Sequence, residues 1–313
     1  MILQIQNVDK SFSGKQVLHD VTFEVKSGRA MGFLGRNGAG KTTAIRALMN
    51  VFYPDKGEFL LDGKPFSRKD YKVGYLPEER GMYGKISIVD QLAYFGQLKG
   101  MERRAAVDSA KYWLEYMGLG EYGKKNLEVL SKGNQQKVQI IQTVIDDPDI
   151  LILDEPFSGL DPVNSQVLKN LIRSFIEKER IVIFSSHQMS YVEEFCDDVT
   201  FIQEGKIVLS GDLEKIKTQL GENKIRLEAA NLSNEELSKK ITSLGVFETY
   251  VDKKSVIVQK PGHMTGNQFL EKMMEQEIEV ERFEAFTPTL EEIFISLDSE
   301  KEVAEKLQRG VRE

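Results

Sequence analysis

The segment Gly35-Arg36-Asn37-Gly38-Ala39-Gly40-Lys41-Thr42 restricts this chain more than any other. It has the form G-x-x-x-x-G-K-T, follows a short apolar run at 30–34, and precedes a stretch, 42–51, whose apolar residues recur at helical spacing. Strand, glycine-rich turn and helix in that order call for a sheet whose strand ends open onto helix N-termini. The glycines let the backbone curl until successive N–H groups and the first helical turn point at one anion. Lys41 adds a positive charge for the β and γ phosphates of a nucleotide, and Thr42 offers a hydroxyl to Mg²⁺. Gly35 through Thr42, with Thr43 behind them, are therefore the candidate ATP-binding residues.

Around that segment the chain reads as α/β. Residues 1–25 alternate and are rich in β-branched side chains, which predicts two antiparallel strands separated by Ser13 and Gly14. Strands are expected at 58–61 and 73–76, and a helical insert at 88–99 and 103–117. From 133 onward a helix to 145, a strand at 150–153, a helix at 163–176, a strand at 181–184 and a helix at 189–195 alternate. That rhythm implies a parallel sheet covered on both faces. It changes near 211–221. Beyond it, 225–228, 247–251, 255–258 and 279–283 read as strands and 234–244 and 264–275 as helices, a split βαββαβ pattern. A last helix starts either at Thr287 with Pro288 in its first position or at Thr289 with Glu292 in a capping box, and the charged residues 301–313 extend it or fray. The expected domains are 1–217 and 218–313.

Several function classes are disfavoured by composition. The 313 residues carry 42 Lys and Arg against 49 Asp and Glu, a net charge of -7, the wrong sign for a protein that mainly neutralises nucleic-acid phosphates. One cysteine, Cys196, makes no internal disulfide, and three scattered histidines make no zinc cluster. The apolar runs fall far short of the roughly 20 residues that cross a bilayer. The opening MILQIQNVDK lacks a basic and then apolar leader.

A second segment, Ile150-Leu151-Ile152-Leu153-Asp154-Glu155-Pro156, is an apolar strand with two carboxylates at its carboxyl end, where ligands of open parallel sheets collect. Asp154 would enter a Mg²⁺ shell and Glu155 would polarise an attacking water. Alone, two acids at a strand exit also serve as solvated or helix-capping groups; the phosphate loop upstream weighs against that.

Between these segments lies Leu130-Ser131-Lys132-Gly133-Asn134-Gln135-Gln136, and Ser158-Gly159-Leu160-Asp161 follows the acids. His187 stands just past the strand at 181–184, and Phe12 lies in Lys10-Ser11-Phe12-Ser13. In order and spacing these features resemble the ATP-binding-cassette (ABC) ATPases over about residues 1–217. The resemblance implies that Ser131, Lys132, Gly133, Asn134 and Gln135 form a signature motif touching ATP across a dimer interface, and that Ser158, Gly159, Leu160 and Asp161 form the D-loop. It also implies that His187 is a switch histidine that binds the γ-phosphate and helps orient water while Glu155 acts as base, and that Phe12 stacks on adenine. Taken singly, His187 and Phe12 read as structural residues, Phe12 as a core aromatic. Gly74-Tyr75-Leu76-Pro77-Glu78-Glu79-Arg80-Gly81 and Thr287-Pro288-Thr289-Leu290-Glu291-Glu292-Ile293-Phe294 are similar to segments of the sodium-efflux and antibiotic-efflux ATP-binding subunits, which carry a C-terminal extension.

Two places depart from the family pattern. Where the family has Leu-Ser-Gly-Gly-Gln, Lys132 and Asn134 replace a glycine and the glutamine. Ser131 and Gly133 remain, and a serine hydroxyl and a backbone amide each donate to a γ-phosphate oxygen. Lys132 either adds a cation there or is solvated. Glu78 stands where the family has a glutamine that senses Mg²⁺ and the attacking water while contacting the membrane partner. A carboxylate still binds a hard cation, but when ionised it donates no hydrogen bond.

The fold so implied is a P-loop NTPase cassette with a mixed sheet core, an antiparallel β subdomain and a helical insert, plus a small α+β C-terminal domain. The implied activity is ATP hydrolysis, with ATP and Mg²⁺ as cofactors, Thr42, Glu78 and Asp154 as the Mg²⁺ residues, and two head-to-tail cassettes, identical or paralogous, enclosing two MgATP. The implied partner is a separate integral-membrane permease docked near 78–83 and 88–117, exporting sodium ions or drug-like cargo, with this chain peripheral on the cytoplasmic face of the cell membrane. The rival reading is a soluble ABC ATPase acting as a switch in translation or DNA repair. Such relatives carry two cassettes in one chain, long coiled coils or zinc sites, none evident in this sequence, and no nucleic-acid partner is expected.

Overall fold

The computed structural model describes residues 1–78, 81–186, 188–252 and 255–299. Glu79, Arg80, His187 and residues 301–313, on which the sequence raised expectations, lie outside the described residues. The described chain falls into two compact units that part between Leu213 and Glu214.

The first unit begins with β1 (Ile2–Phe12), β2 (Lys15–Lys26), β3 (Ala30–Leu34), α1 (Lys41–Leu48), β4 (Lys56–Leu61), β5 (Lys64–Pro65) and β6 (Val73–Leu76). The helical insert is α2 (Ile88–Leu98) and α3 (Arg103–Tyr116). Then come α4 (Lys132–Val144), β7 (Ile150–Asp154), α5 (Pro162–Glu177), β8 (Ile181–Ser185), α6 (Met189–Phe195), β9 (Asp198–Gln203) and β10 (Lys206–Asp212).

Strands β2-β1-β4-β5 form an antiparallel sheet, and β10-β9-β3-β8-β7-β6 form a second, six-stranded one. From β9 to β6 the neighbours are parallel, while β10 joins β9 antiparallel at the edge. Strands β3, β7 and β8 are buried at every position, as a sheet covered on both faces requires. Side chains of the first sheet (Leu3, Val8, Leu18, Val21) and of the second (Met31, Phe33, Ile150, Ile183) share one core with Ala44, Ile45 and Leu48 of α1. Each of these side chains larger than alanine contributes about 1.5–3 kcal/mol by leaving water. Lys41 lies four residues before Ile45 on the same face of α1, so the stripe that buries the helix also buries the lysine.

The β9–β10 hairpin and the short β5 are not anticipated by the sequence pattern. Strand–helix alternation implied parallel strands only; the hairpin adds an antiparallel edge, so the core sheet is mixed. Its acidic ends resemble loop, yet Arg29 pairs with Asp198 at 2.7 Å and with Asp212 at 2.8 Å, tying both strands to the start of β3.

The second unit contains α7 (Leu213–Gly221, the first residue of which closes the first unit), β11 (Lys224–Ala229), α8 (Asn234–Thr242), β12 (Glu248–Val251), β13 (Val256–Gln259), α9 (Gly266–Glu275), β14 (Val280–Ala285) and α10 (Leu290–Ser299). Its sheet runs β12-β13-β11-β14, antiparallel throughout, with β13 inserted between the strands that α8 connects. That is the split βαββαβ arrangement. Its core is built from Ile225, Leu227, Leu237, Ile241, Val256, Val258, Phe269 and Met273. Of the two helix starts left open by the sequence, the capping box forms: the Thr289 N–H donates to Glu292 Oε2 at 2.6 Å and the Glu292 N–H to Thr289 Oγ1 at 3.1 Å. Among the described residues no helix is long and apolar enough to cross a membrane.

Candidate nucleotide site

Strand β3 delivers Gly35 to the carboxyl edge of the core sheet, where the chain turns into α1. A Cβ at Gly35 would stand 2.3 Å from the carbonyl oxygen of Ile202, so only glycine lets the loop lie this close to β9. Gly40, at φ 114°, is the N-cap of α1 and packs against Leu18 of β2. The loop is tied to the β9–β10 turn by the Gly205 N–H, which donates to the Ala39 carbonyl at 2.9 Å. Arg36, Asn37 and Gly38 are exposed, Ala39, Gly40 and Lys41 buried, and Thr42 and Thr43 half-buried. The first turn of α1 carries no acidic residue and no side-chain cap, which leaves its N–H groups for an anion.

Lys41 Nζ donates to its own loop, to the Gly35 carbonyl at 2.6 Å and the Arg36 carbonyl at 3.3 Å. Burial lowers its pKa from the ordinary lysine value, and the carboxylates of Glu155, Asp154 and Glu78 pull it back up. The structure thus brings the phosphate-loop lysine and all three predicted acids into one electrostatic neighbourhood. Glu78 itself is exposed.

Asp154, at the end of β7, stands in register with Ser185 of β8, and the Ser185 hydroxyl donates to its Oδ1. The other oxygen, Oδ2, is buried and accepts no hydrogen bond among the described residues. An uncompensated buried carboxylate oxygen is costly, and a ligand normally explains one. Glu155 follows at φ 49°, a left-handed conformation that costs a side-chain-bearing residue about 1–2 kcal/mol. Its N–H donates to the Ser185 carbonyl at 3.0 Å, and the Ser186 hydroxyl donates to Glu155 Oε2 at 3.3 Å. Among the described residues no group of three or more His, Cys, Asp or Glu is arranged to hold a metal ion alone. The donors present, one buried carboxylate oxygen and the Thr42 hydroxyl beside an anion-binding loop, suit a hard cation that shares its shell with phosphate oxygens.

Ser131 is the N-cap of α4, its hydroxyl accepting from the Asn134 N–H at 3.3 Å. Ser131 and Lys132 are exposed, and a Cβ at Gly133 would lie 3.2 Å from the carbonyl oxygen of Gly159, so the signature turn packs on the D-loop of its own chain. Gln135 Nε2 donates to the Leu130 carbonyl at 3.1 Å, closing that turn. Ser158 and Gly159 are exposed and Leu160 half-buried. Asp161 caps α5, accepting from the Asn164 N–H at 2.8 Å. Phe12 is 43% exposed at the end of β1, which rules out the core-aromatic reading. Ser185, Ser186 and Gly205 were not singled out from the sequence; the serine pair directly before His187 was the available signal.

Residues 18–158 match the family model described as ABC transporter, and residues 211–297 the one described as ATP-binding protein DrrA1-3-like, C-terminal domain. The chain is 37% identical over 295 residues to YhaQ, an ABC transporter ATP-binding protein of Bacillus subtilis (strain 168), across 94% of this chain and 97% of that one. The chain belongs to the ABC transporter ATP-binding proteins. As an ABC ATPase it binds nucleotide and hydrolyses ATP to power transport, which bears out the family resemblance and leaves the soluble switch without support. The linearmycin resistance ATP-binding protein LnrL of the same B. subtilis strain is 30% identical over 224 residues, 70% of this chain and 72% of the relative. A solved ATP-binding subunit of an ABC transporter superposes with a TM-score of 0.65 at 25% identity, over 77% of this chain and 100% of that one.

Proposed function

We propose that this ABC ATPase binds MgATP between the phosphate loop of one cassette and the signature motif of a second, and that hydrolysis there drives a separate membrane permease in the export of a drug-like cargo or sodium ions. The observation that carries the reading is the pairing of a buried Lys41, turned onto its own loop carbonyls, with the unpartnered Oδ2 of Asp154. Both groups lack an external partner that a metal–triphosphate complex supplies. The first domain, 1–217, does the chemistry, and 218–313 is accessory to it. The resistance function in the name of LnrL favours drug-like cargo, and the chain would sit on the cytoplasmic face of the membrane.

In this mechanism Lys41 and the N–H groups of Gly35 through Thr43 bind the β and γ phosphates. Thr42 and Asp154, with Glu78 reaching from the exposed side, would hold Mg²⁺, whose chemistry is to neutralise charge on the phosphate oxygens. Phe12 stacks on the base. Glu155, held by the Ser185 carbonyl and the Ser186 hydroxyl, orients the attacking water and takes its proton, with His187 assisting at the γ-phosphate. Ser131 and Gly133 of the partner cassette donate to the γ-phosphate, and Lys132, Asn134 and Gln135 flank them.

The test uses Glu155→Gln in the full chain, which should keep MgATP binding and lose turnover by about 10²- to 10⁴-fold, the usual effect of removing a general base. Purified in mild detergent with MgATP, the variant should bring down a multi-span membrane protein in stoichiometric amount. Ribosomes or nucleic acid in its place would overturn the transport reading, and unchanged turnover would remove Glu155 as the base.

A further inference from the structure

Phe12 is a large aromatic left exposed, yet it is held from four sides. Ser13 and Gly14, at φ 48° and 80°, close a two-residue turn of the kind that matches strand twist, which sets the pairing of Phe12 with Lys15. The Phe52 ring meets the Phe12 ring at 5.1 Å between centroids and 88° between planes, an edge-to-face contact. Pairing of β1 with β4 ends at Asp9 and Lys56, and past that point Asp55 replaces the missing strand: its Oδ2 accepts from the Ser11 N–H at 2.6 Å. Its Oδ1 accepts from Lys10 Nζ at 2.7 Å, and the same ammonium donates to the Tyr53 carbonyl at 2.7 Å. Lys10 Nζ stands 5.5 Å from the centroid of Phe12 and 5.4 Å from that of Phe52, within cation–π range of both rings. Its side chain is only 13% exposed, which places the charge beneath the ring pair rather than out in solvent. The hydrogen bonds from Lys10 and Ser11 hold the Asp55 carboxyl below its usual range, so the carboxylate is ionised wherever the protein works.

We propose that Lys10 and Asp55 are positioning residues for the nucleotide base: their ion pair fixes Phe12 edge-to-face on Phe52, so that the exposed part of the Phe12 ring is a rigid stacking platform before any nucleotide arrives. The inference rests on the reading of Phe12 as the adenine contact. An immobilised ring spares the ordering cost that a mobile exposed side chain adds to binding, about 2- to 10-fold in affinity. Lys10 also draws electron density to the underside of both rings without touching the base.

The experiment measures binding of MgATP and of inorganic tripolyphosphate, which has no base, to the full chain by calorimetry. Lys10→Met and Asp55→Asn should each weaken MgATP by about 2- to 10-fold and leave tripolyphosphate unchanged. Lys10→Arg should stay close to the parent, and Phe12→Ala should lose at least as much as Asp55→Asn. If Phe12→Ala weakens MgATP while Lys10→Met and Asp55→Asn do not, the inference fails and the stacking reading stands. Equal loss of MgATP and tripolyphosphate in Asp55→Asn would make the pair a general support of the fold and overturn the inference. Unchanged MgATP binding in Phe12→Ala would remove the stacking reading itself, and the inference with it.

Discussion

The two oxygens of Asp154 are treated differently by the fold, and that asymmetry is the most specific residue-level feature of the site. Oδ1 is fixed by the Ser185 hydroxyl across the β7–β8 register, while Oδ2 is buried and unpartnered. A hydrogen bond of this kind orients a metal-binding carboxylate, and losing one usually costs about 10- to 100-fold in metal affinity. Ser185→Ala should therefore raise the concentration of Mn²⁺ needed to occupy the nucleotide-loaded site by about that factor, as read from the electron paramagnetic resonance of free Mn²⁺. Unchanged Mn²⁺ affinity would show that backbone and packing alone hold Asp154. Asp154, Glu155 and Lys41 were legible in the sequence because their spacing along the chain is itself the signal. Ser185 and Ser186 were not, since a serine at a strand end is commonplace and these two gain meaning only from the strand beside them.

At the scale of elements, what could be read was what is locally determined. The β1–β2 hairpin, the strand–loop–helix around Lys41 and the βαββαβ unit each announce themselves by period and turn residues within a short window. The β9–β10 hairpin did not, because its acidic ends are stabilised by Arg29, far away in the chain. That hairpin nevertheless shapes the phosphate loop through the Gly205 N–H and the Ile202 carbonyl, so part of the site was invisible for the same reason. The helical insert offers a sharper case. Lys99, at the end of α2, donates to the Thr143 carbonyl at 2.9 Å and to Asp146 at 2.6 Å, stapling α2 to the end of α4, the helix that begins at the signature. Asp146→Ala would leave that ammonium facing only a carbonyl, at a cost of about 3 kcal/mol, the low end for breaking a buried pair because Lys99 keeps one partner and some exposure. The pH dependence has a definite sign. Burial lowers the pKa of Lys99 from 10.5 while Asp146 raises it, so removing Asp146 lowers it further. Between that lowered value and 10.5 the unfolded chain binds more protons than the folded one, and stability rises with pH. In denaturant titrations the deficit of Asp146→Ala should thus be greatest near neutrality and shrink toward about pH 10; a deficit that stays constant or grows would remove the buried-charge explanation.

At the scale of the whole molecule, one chain carries each nucleotide motif once. Lys41 stands in the field of acids of its own chain, and Ser131 and Lys132 are exposed beside the D-loop. Under the proposed pairing, a site that needs both would be completed by two copies in which the loop of each meets the signature of the other. Such a pair makes two kinds of damage complementary. Lys41→Met destroys the loop half and Ser131→Arg the signature half, so each variant alone should hydrolyse almost no ATP. In a mixed dimer, one site joins the intact loop of the Ser131→Arg chain to the intact signature of the Lys41→Met chain, and the second site carries both lesions. Random pairing of equal amounts makes half of the dimers mixed, each with one good site of two, so about one quarter of the parental sites should reappear on mixing. Hydrolysis of labelled ATP by the two full-length chains, separately and combined, reads this directly. Recovery in the mixture alone places the signature in trans, because no arrangement within a single chain can repair a loop lesion with a signature from another copy. A mixture as inactive as its parents would overturn pairing between identical copies, leaving a paralogous partner cassette or a site built within one chain.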